Sequence, residues 1–144
     1  MKRMLLLVVL SAVLAAALAC GGEDAAAPQV IEVPGALEVP TAIAMAARMS
    51  NYDAFVALGC VIRGETTHYE TVCNDSSRGI PLLGLQGLCI GNGILTVENR
   101  EQAVVRADTK DQNKGGGAAA AALHLLTLSR KWGAPRKAVG FRPA

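Results

Sequence analysis

Ten consecutive residues, Gly59-Cys60-Val61-Ile62-Arg63-Gly64-Glu65-Thr66-Thr67-His68, bring together the parts of an anion site and a proton carrier. Residues 54–58 before them, Ala-Phe-Val-Ala-Leu, form a continuous apolar run, as a parallel strand buried on both faces requires. Thr67 and Glu70 stand in the S/T-x-x-E spacing of a capping box. This makes Thr67 the N-cap and Gly64, Glu65 and Thr66 the loop across the start of the following helix. Unpaired N–H groups and the helix dipole favour an anion there, and glycine lets the backbone come close to it. His68 falls in the first turn, and imidazole is the side-chain type suited to proton transfer near neutrality. The arrangement reads as a phosphate site beside a base.

The elements that must position these residues alternate strand with helix, the pattern of a parallel sheet covered by helices. A short strand is expected over residues 29–33, ending at Pro34-Gly35. A helix follows over 38–49, with Ile43, Ala46 and Ala47 on one stripe and Pro40 tolerable in its first turn. The central strand is expected over 55–62 and its helix over 67–79. Pro81 predicts a break or kink, since an internal proline loses a hydrogen bond and clashes with the preceding turn. A strand over 88–97, a short helix over 101–107 and an Ala-rich helix over 116–131 complete the set, with Gly133 as a stop. Leu123, Leu126 and Leu128 are available for packing on the last helix, and Trp132 reads as a packing group at its end.

Composition narrows the classes of function. At 144 residues the chain can bury one core of ordinary size. A net charge of +2 and 3% aromatic residues argue against a nucleic-acid binder, which needs a basic surface and stacking groups. Cys20, Cys60, Cys73 and Cys89 lack C-x-x-C spacing and are too sparse for a disulfide framework. The last three read as reduced, buried core residues. Taken singly, Arg106 and Lys114 are ordinary solvated charges, Glu38 suits any helix start, and His124 among its leucines is a packing or interface residue.

Several motifs together say more than each alone. Val33-Pro34-Gly35-Ala36-Leu37-Glu38-Val39-Pro40, the Gly-Glu-Thr-Thr-His run, Gly93-Ile94-Leu95-Thr96-Val97-Glu98-Asn99, Arg106, and Asn113-Lys114-Gly115 occur in this order. In order and spacing they closely resemble the 6,7-dimethyl-8-ribityllumazine synthases, enzymes of riboflavin biosynthesis, over roughly residues 29–133. The resemblance implies a three-layer α/β/α sandwich of flavodoxin type with a four-stranded parallel sheet, and a cytoplasmic ring of five subunits with each site at a subunit boundary. The loop over residues 108–112 keeps the family's length without the glycines of shell-forming relatives, leaving both a free pentamer and a larger shell open.

The resemblance also implies the reaction. A ribitylamino-pyrimidinedione and 3,4-dihydroxy-2-butanone 4-phosphate condense to a lumazine with loss of phosphate and water, without metal or cofactor. His68 matches the catalytic histidine. Gly64, Glu65, Thr66 and Thr67 match the phosphate turn, with Arg106 as its cationic partner. Ala36, Leu37 and Glu38 match the residues that meet the ribityl chain and ring. Val61 and Ile62 match the apolar floor under the pyrimidine, and Lys114 a lysine near the bound ring. Asn92 stands where many relatives carry a phenylalanine for the neighbouring site. The N-terminal aromatic that stacks on the pyrimidine has no counterpart, because no aromatic residue precedes Tyr52. A second reading is therefore a lumazine- or flavin-binding, or scaffolding, homologue with weakened turnover.

The N-terminus carries two readings. Met1-Lys2-Arg3, an apolar stretch and Ala19-Cys20 have the plan of a secretory or lipoprotein signal. Alternatively, residues 4–10 are the first strand of the sheet and residues 11–20 a shortened first helix capped by Ser11. The second is favoured, since an interior strand's removal exposes unpaired backbone groups on both neighbours. The chain then divides into an apolar segment over 1–20, a domain over 21–133 and a free basic tail over 134–144.

Overall fold

A computed structural model describes residues 3–9 and 27–133. In chain order its elements are β1 (Arg3–Val9), β2 (Gln29–Val33), α1 (Glu38–Met49), β3 (Tyr52–Ile62), α2 (His68–Leu85), β4 (Ile90–Val97), α3 (Arg100–Ala107) and α4 (Lys114–Gly133). The strands are parallel in the order β2-β1-β3-β4. β1 lies between two neighbours, with Leu6 opposite Val30 on β2 and Val56 on β3. The expected helix over residues 11–20, the signal alternative and the tail over 134–144 lie outside the described residues.

Strand alternation sends the side chains of β3 into two separate cores. Phe55 and Ala57 pack with Val39 and Ile43 of α1, Ile80 of α2 and Ile90 of β4. Ala54 and Val56 pack with Cys89 and with Ala118 and Ala122 of α4. Each face of the sheet is thus covered by helix, which is why the run at 54–58 is apolar at every position. α4 comes exceptionally close to β4, because Gly91 leaves no side chain between them: a Cβ there would stand 1.8 Å from the carbonyl oxygen of Ala118. The alanines of α4 are the other half of that close approach.

The structure corrects three expectations. α2 does not end near Gly79 but runs through Pro81 to Leu85. Ser76 and Ile80 are buried on its inner side while Ser77 and Pro81 are exposed, so the proline stands on the helix face turned away from the core. Cys60 is exposed and Cys73 half-buried, leaving Cys89 as the buried thiol of the three; Cys60 lies near the end of β3, where the helices no longer cover the sheet. Trp132 is 73% exposed and packs no helix end. Smaller differences concern bounds. β3 begins at Tyr52, which pairs with Arg3 of β1, and Asp53 lies 3.7 Å from Arg130 of α4. α4 begins at Lys114, where Asn113 in the left-handed region (φ 44°) accepts through Oδ1 from the Gly116 N–H at 3.1 Å.

Candidate active site

In a parallel sheet every strand delivers its following loop to the same edge. The chain leaves β1 for β2 on one side and then crosses to β3 on the other, so β1 and β3 form a topological switch point, where open α/β sheets take their ligands. Two of the sequence-predicted groups lie at this edge: residues 36–38 after β2, and residues 61–68 at the end of β3 and the start of α2.

After β2 the chain turns sharply, with the Glu38 N–H donating to Gly35 O and the Val39 N–H to Ala36 O, both at 3.3 Å. Ala36 is buried, while Leu37 and Glu38 are exposed. A Cβ on Gly35 would meet Glu38 Oε2 at 2.9 Å, which shows the carboxylate folded back over the turn. After β3, the Arg63 N–H donates to Val97 O at 2.9 Å and continues the ladder one residue past the strand. Residues 64–68 are all exposed, Val61 is half-buried and Ile62 is 45% exposed.

The capping box is not formed. Thr67 does hold the N-cap position, but with helical dihedrals and no side-chain cap bond. Glu70, its intended partner, is paired instead with Arg63. A guanidinium offers the carboxylate a full positive charge together with a directed hydrogen bond, which a backbone N–H does not match. The Arg63 hydrogen bond holds the Glu70 carboxyl below its ordinary range, and the two carboxylates, Glu70 and Glu98, push the Arg63 pKa up. The Thr67 side chain leaves the first-turn amides of α2 uncapped, while the Glu70 N–H donates to Thr67 O at 3.1 Å; unpartnered amides at a helix start favour an anion.

Asn92, Arg106 and Lys114 form a second group. They line an open cleft of about 400 Å³ with Thr96 of β4 and Gly117 and Ala121 of α4. The Asn99 side chain caps α3, accepting from the Gln102 N–H at 2.9 Å. Arg106 is half-buried in the last turn of that helix and donates through Nη1 to Gln102 O at 3.0 Å. Lys114 opens α4 and is exposed. Asn92, on the edge strand β4, accepts through Oδ1 from the Ile94 N–H at 3.0 Å. None of residues 36–38, 61, 62 or 64–68 lines this cleft. One chain therefore carries the predicted site as two groups.

Among the described residues no cluster of His, Cys, Asp and Glu could hold a metal ion, and no helix is long and apolar enough to cross a membrane. Sequence reasoning passed over Arg63, whose partners Glu70 and Glu98 are seven and thirty-five positions away. Its place between a strand and a glycine turn was the available signal.

Comparison with known proteins decides between this and an accidental likeness: the model of the 6,7-dimethyl-8-ribityllumazine synthase family matches residues 5–130. The chain belongs to that family. A 6,7-dimethyl-8-ribityllumazine synthase of Jannaschia sp. (strain CCS1) is 64% identical over 129 residues, 88% of this chain and 72% of the relative. One from Erythrobacter litoralis is 56% identical over 119 residues, 83% of each chain. One from Zymomonas mobilis is 61% identical over 103 residues, covering 72% and 74%. The family match takes in β1 almost whole and every residue of both groups.

Proposed function

We propose that this chain is a 6,7-dimethyl-8-ribityllumazine synthase, condensing 5-amino-6-(D-ribitylamino)uracil with 3,4-dihydroxy-2-butanone 4-phosphate and releasing phosphate. The family match across residues 5–130 carries the reading, and the exposed histidine at the switch-point helix start supports it. The carbonyl and an amine join as an imine, phosphate leaves by elimination and the ring closes. Each step needs placement and proton transfer, and His68 moves the protons. Residues 64–67 hold the phosphate, and Arg106 supplies a guanidinium fork for it. Ala36, Leu37 and Glu38 meet the ribityl chain, Val61 and Ile62 lie under the pyrimidine, and Lys114 and Asn92 approach the ring.

A complete site in this reading takes residues 36–38 and 61–68 from one subunit and the Asn92, Arg106 and Lys114 cleft from the next. The separation of the two groups within one chain supports such sharing, and the proposed assembly is a homopentamer of three-layer, flavodoxin-like subunits. The placement of β1 inside the sheet supports residues 3–9 being part of the domain and the protein working in the cytoplasm. The test is direct: purified protein is mixed with both substrates and lumazine absorbance followed. A rate above the spontaneous condensation is expected. A rate equal to it overturns the reading.

A further inference from the structure

Arg63 is the last residue before the turn, and the reaction as proposed gives it no task. Its side chain nevertheless joins three elements. Nε donates to Glu98 Oε2 at 2.7 Å, Nη1 pairs with Glu70, and the guanidinium carbon lies 4.2 Å from the centroid of the Tyr69 ring. Tyr69 and Glu70 belong to the first turn of α2, and Glu98 is the first residue beyond β4. The connection continues past Glu98, whose N–H donates to Gln102 Oε1 at 3.0 Å, to the Gln102 carbonyl that accepts from Arg106.

The turn itself has little to hold it. The Thr67 side chain makes no cap bond, and an added Cβ on Gly64 would meet no atom within 4 Å. A turn that must present amides to an anion in one geometry needs outside support. It also stands beside Glu70 and Glu98, which repel an anion unless their charge is balanced. Arg63 does both things at once. It does not do much for stability, because its side chain is 40% exposed and ion pairs in water are weak.

We propose that Arg63 is a positioning residue: it fixes the turn at residues 64–67 against α2 and the β4–α3 junction, and neutralises the two carboxylates beside the bound phosphate. This rests on the proposed reading that the turn holds the phosphate of the butanone substrate. A lysine keeps the charge but not the planar fork that reaches two carboxylates and stacks on a ring.

The experiment compares full-length wild type, Arg63→Ala and Arg63→Lys, with Arg78→Ala as control. Arg78 forms a looser exposed pair with Asp75 at 3.8 Å, far along α2 from the turn. Arg63→Ala is expected to raise KM for the butanone phosphate about 5- to 10-fold and KM for the pyrimidine less than about twofold, with Tm nearly unchanged. Arg63→Lys recovers part of the loss, and the control shows none. A lowered Tm with unaltered KM values, or equal shifts in both, would make Arg63 structural and overturn the proposal. If Arg63→Ala does not fold, Arg63→Lys decides, a phosphate KM equal to that of wild type being the overturning result. Absence of wild-type turnover overturns the underlying reading as well, whereas an active wild type with an indifferent Arg63→Ala overturns this inference alone.

Discussion

Gly91 and Ala118 meet so closely that a single methyl group on the first would stand 1.8 Å from the backbone oxygen of the second. That oxygen is part of α4 and cannot swing aside as a side chain would. Gly91→Ala should therefore push α4 off β4 and cost about 2–3 kcal/mol or more, the range of an overpacked core. Thermal unfolding should show Tm lowered by roughly 10 °C. An unchanged Tm would mean that the helix–sheet spacing is looser than described.

His68 is proposed to move protons and not to form a bond to substrate. His68→Ala should lower kcat about 10- to 100-fold and leave a measurable rate, because the substrates stay positioned when acid–base help is lost. Steady-state assay against the spontaneous rate checks this, and complete loss of activity would assign the histidine a further role.

Arg106 is proposed to attract the phosphate from the neighbouring subunit. Arg106→Ala should raise KM for the butanone phosphate about 10- to 150-fold, the value of a lost charged hydrogen bond, with a far smaller effect on the pyrimidine. Because the two groups of site residues would come from different subunits, co-expressed His68→Ala and Arg106→Ala chains should assemble about one intact site in four. Activity of the mixture should exceed the mean of the two parents. Activity at that mean would place both residues in the same subunit's site.

Arg63 holds the Glu70 carboxyl below its ordinary range, and the direction fixes a pH dependence. A carboxyl with a depressed folded-state pKa contributes stability above its unfolded value of about 4.3, and loses it as pH falls through the folded value. Because the pair is exposed, the Tm difference between wild type and Glu70→Gln should be small near pH 7, and it should shrink as pH falls through the folded-state value. A difference that persists in acid would trace the effect to packing.

β1 is proposed to be an interior strand of the working enzyme. Its amides should exchange as slowly as those of residues 55–58, since interior strands open only with global unfolding. Deleting residues 1–20 should give an insoluble or monomeric product. A soluble, pentameric truncated chain would refute the proposal, as would mass spectrometry of native protein showing a chain that begins near Cys20.

Local chemistry was legible where the chain's neighbours in sequence are also its neighbours in space. α1 was placed at residues 38–49 from a stripe and its flanking turn residues, and it occupies Glu38–Met49. The misreadings share a cause. A proline rule written for an isolated helix ignores that Ile80 and Ser76 anchor the turn around Pro81 from the other side. A capping box read from spacing ignores an arginine that reaches the same glutamate across a loop. The start of β3 at Tyr52 rests on pairing with Arg3 of β1, distant in sequence. Each depends on a contact that only the folded chain creates.

The hydrogen bond from the Ile94 amide to the Asn92 side chain bears on how the molecule behaves at high concentration. β4 is the last strand of its sheet, and an open strand edge is a template on which another chain can add a strand. At Ile94 one rung of that template is already satisfied from within, by a residue two positions away. An alanine at position 92 would return this donor to the edge. Asn92 thus withdraws one backbone donor from the open edge of the sheet.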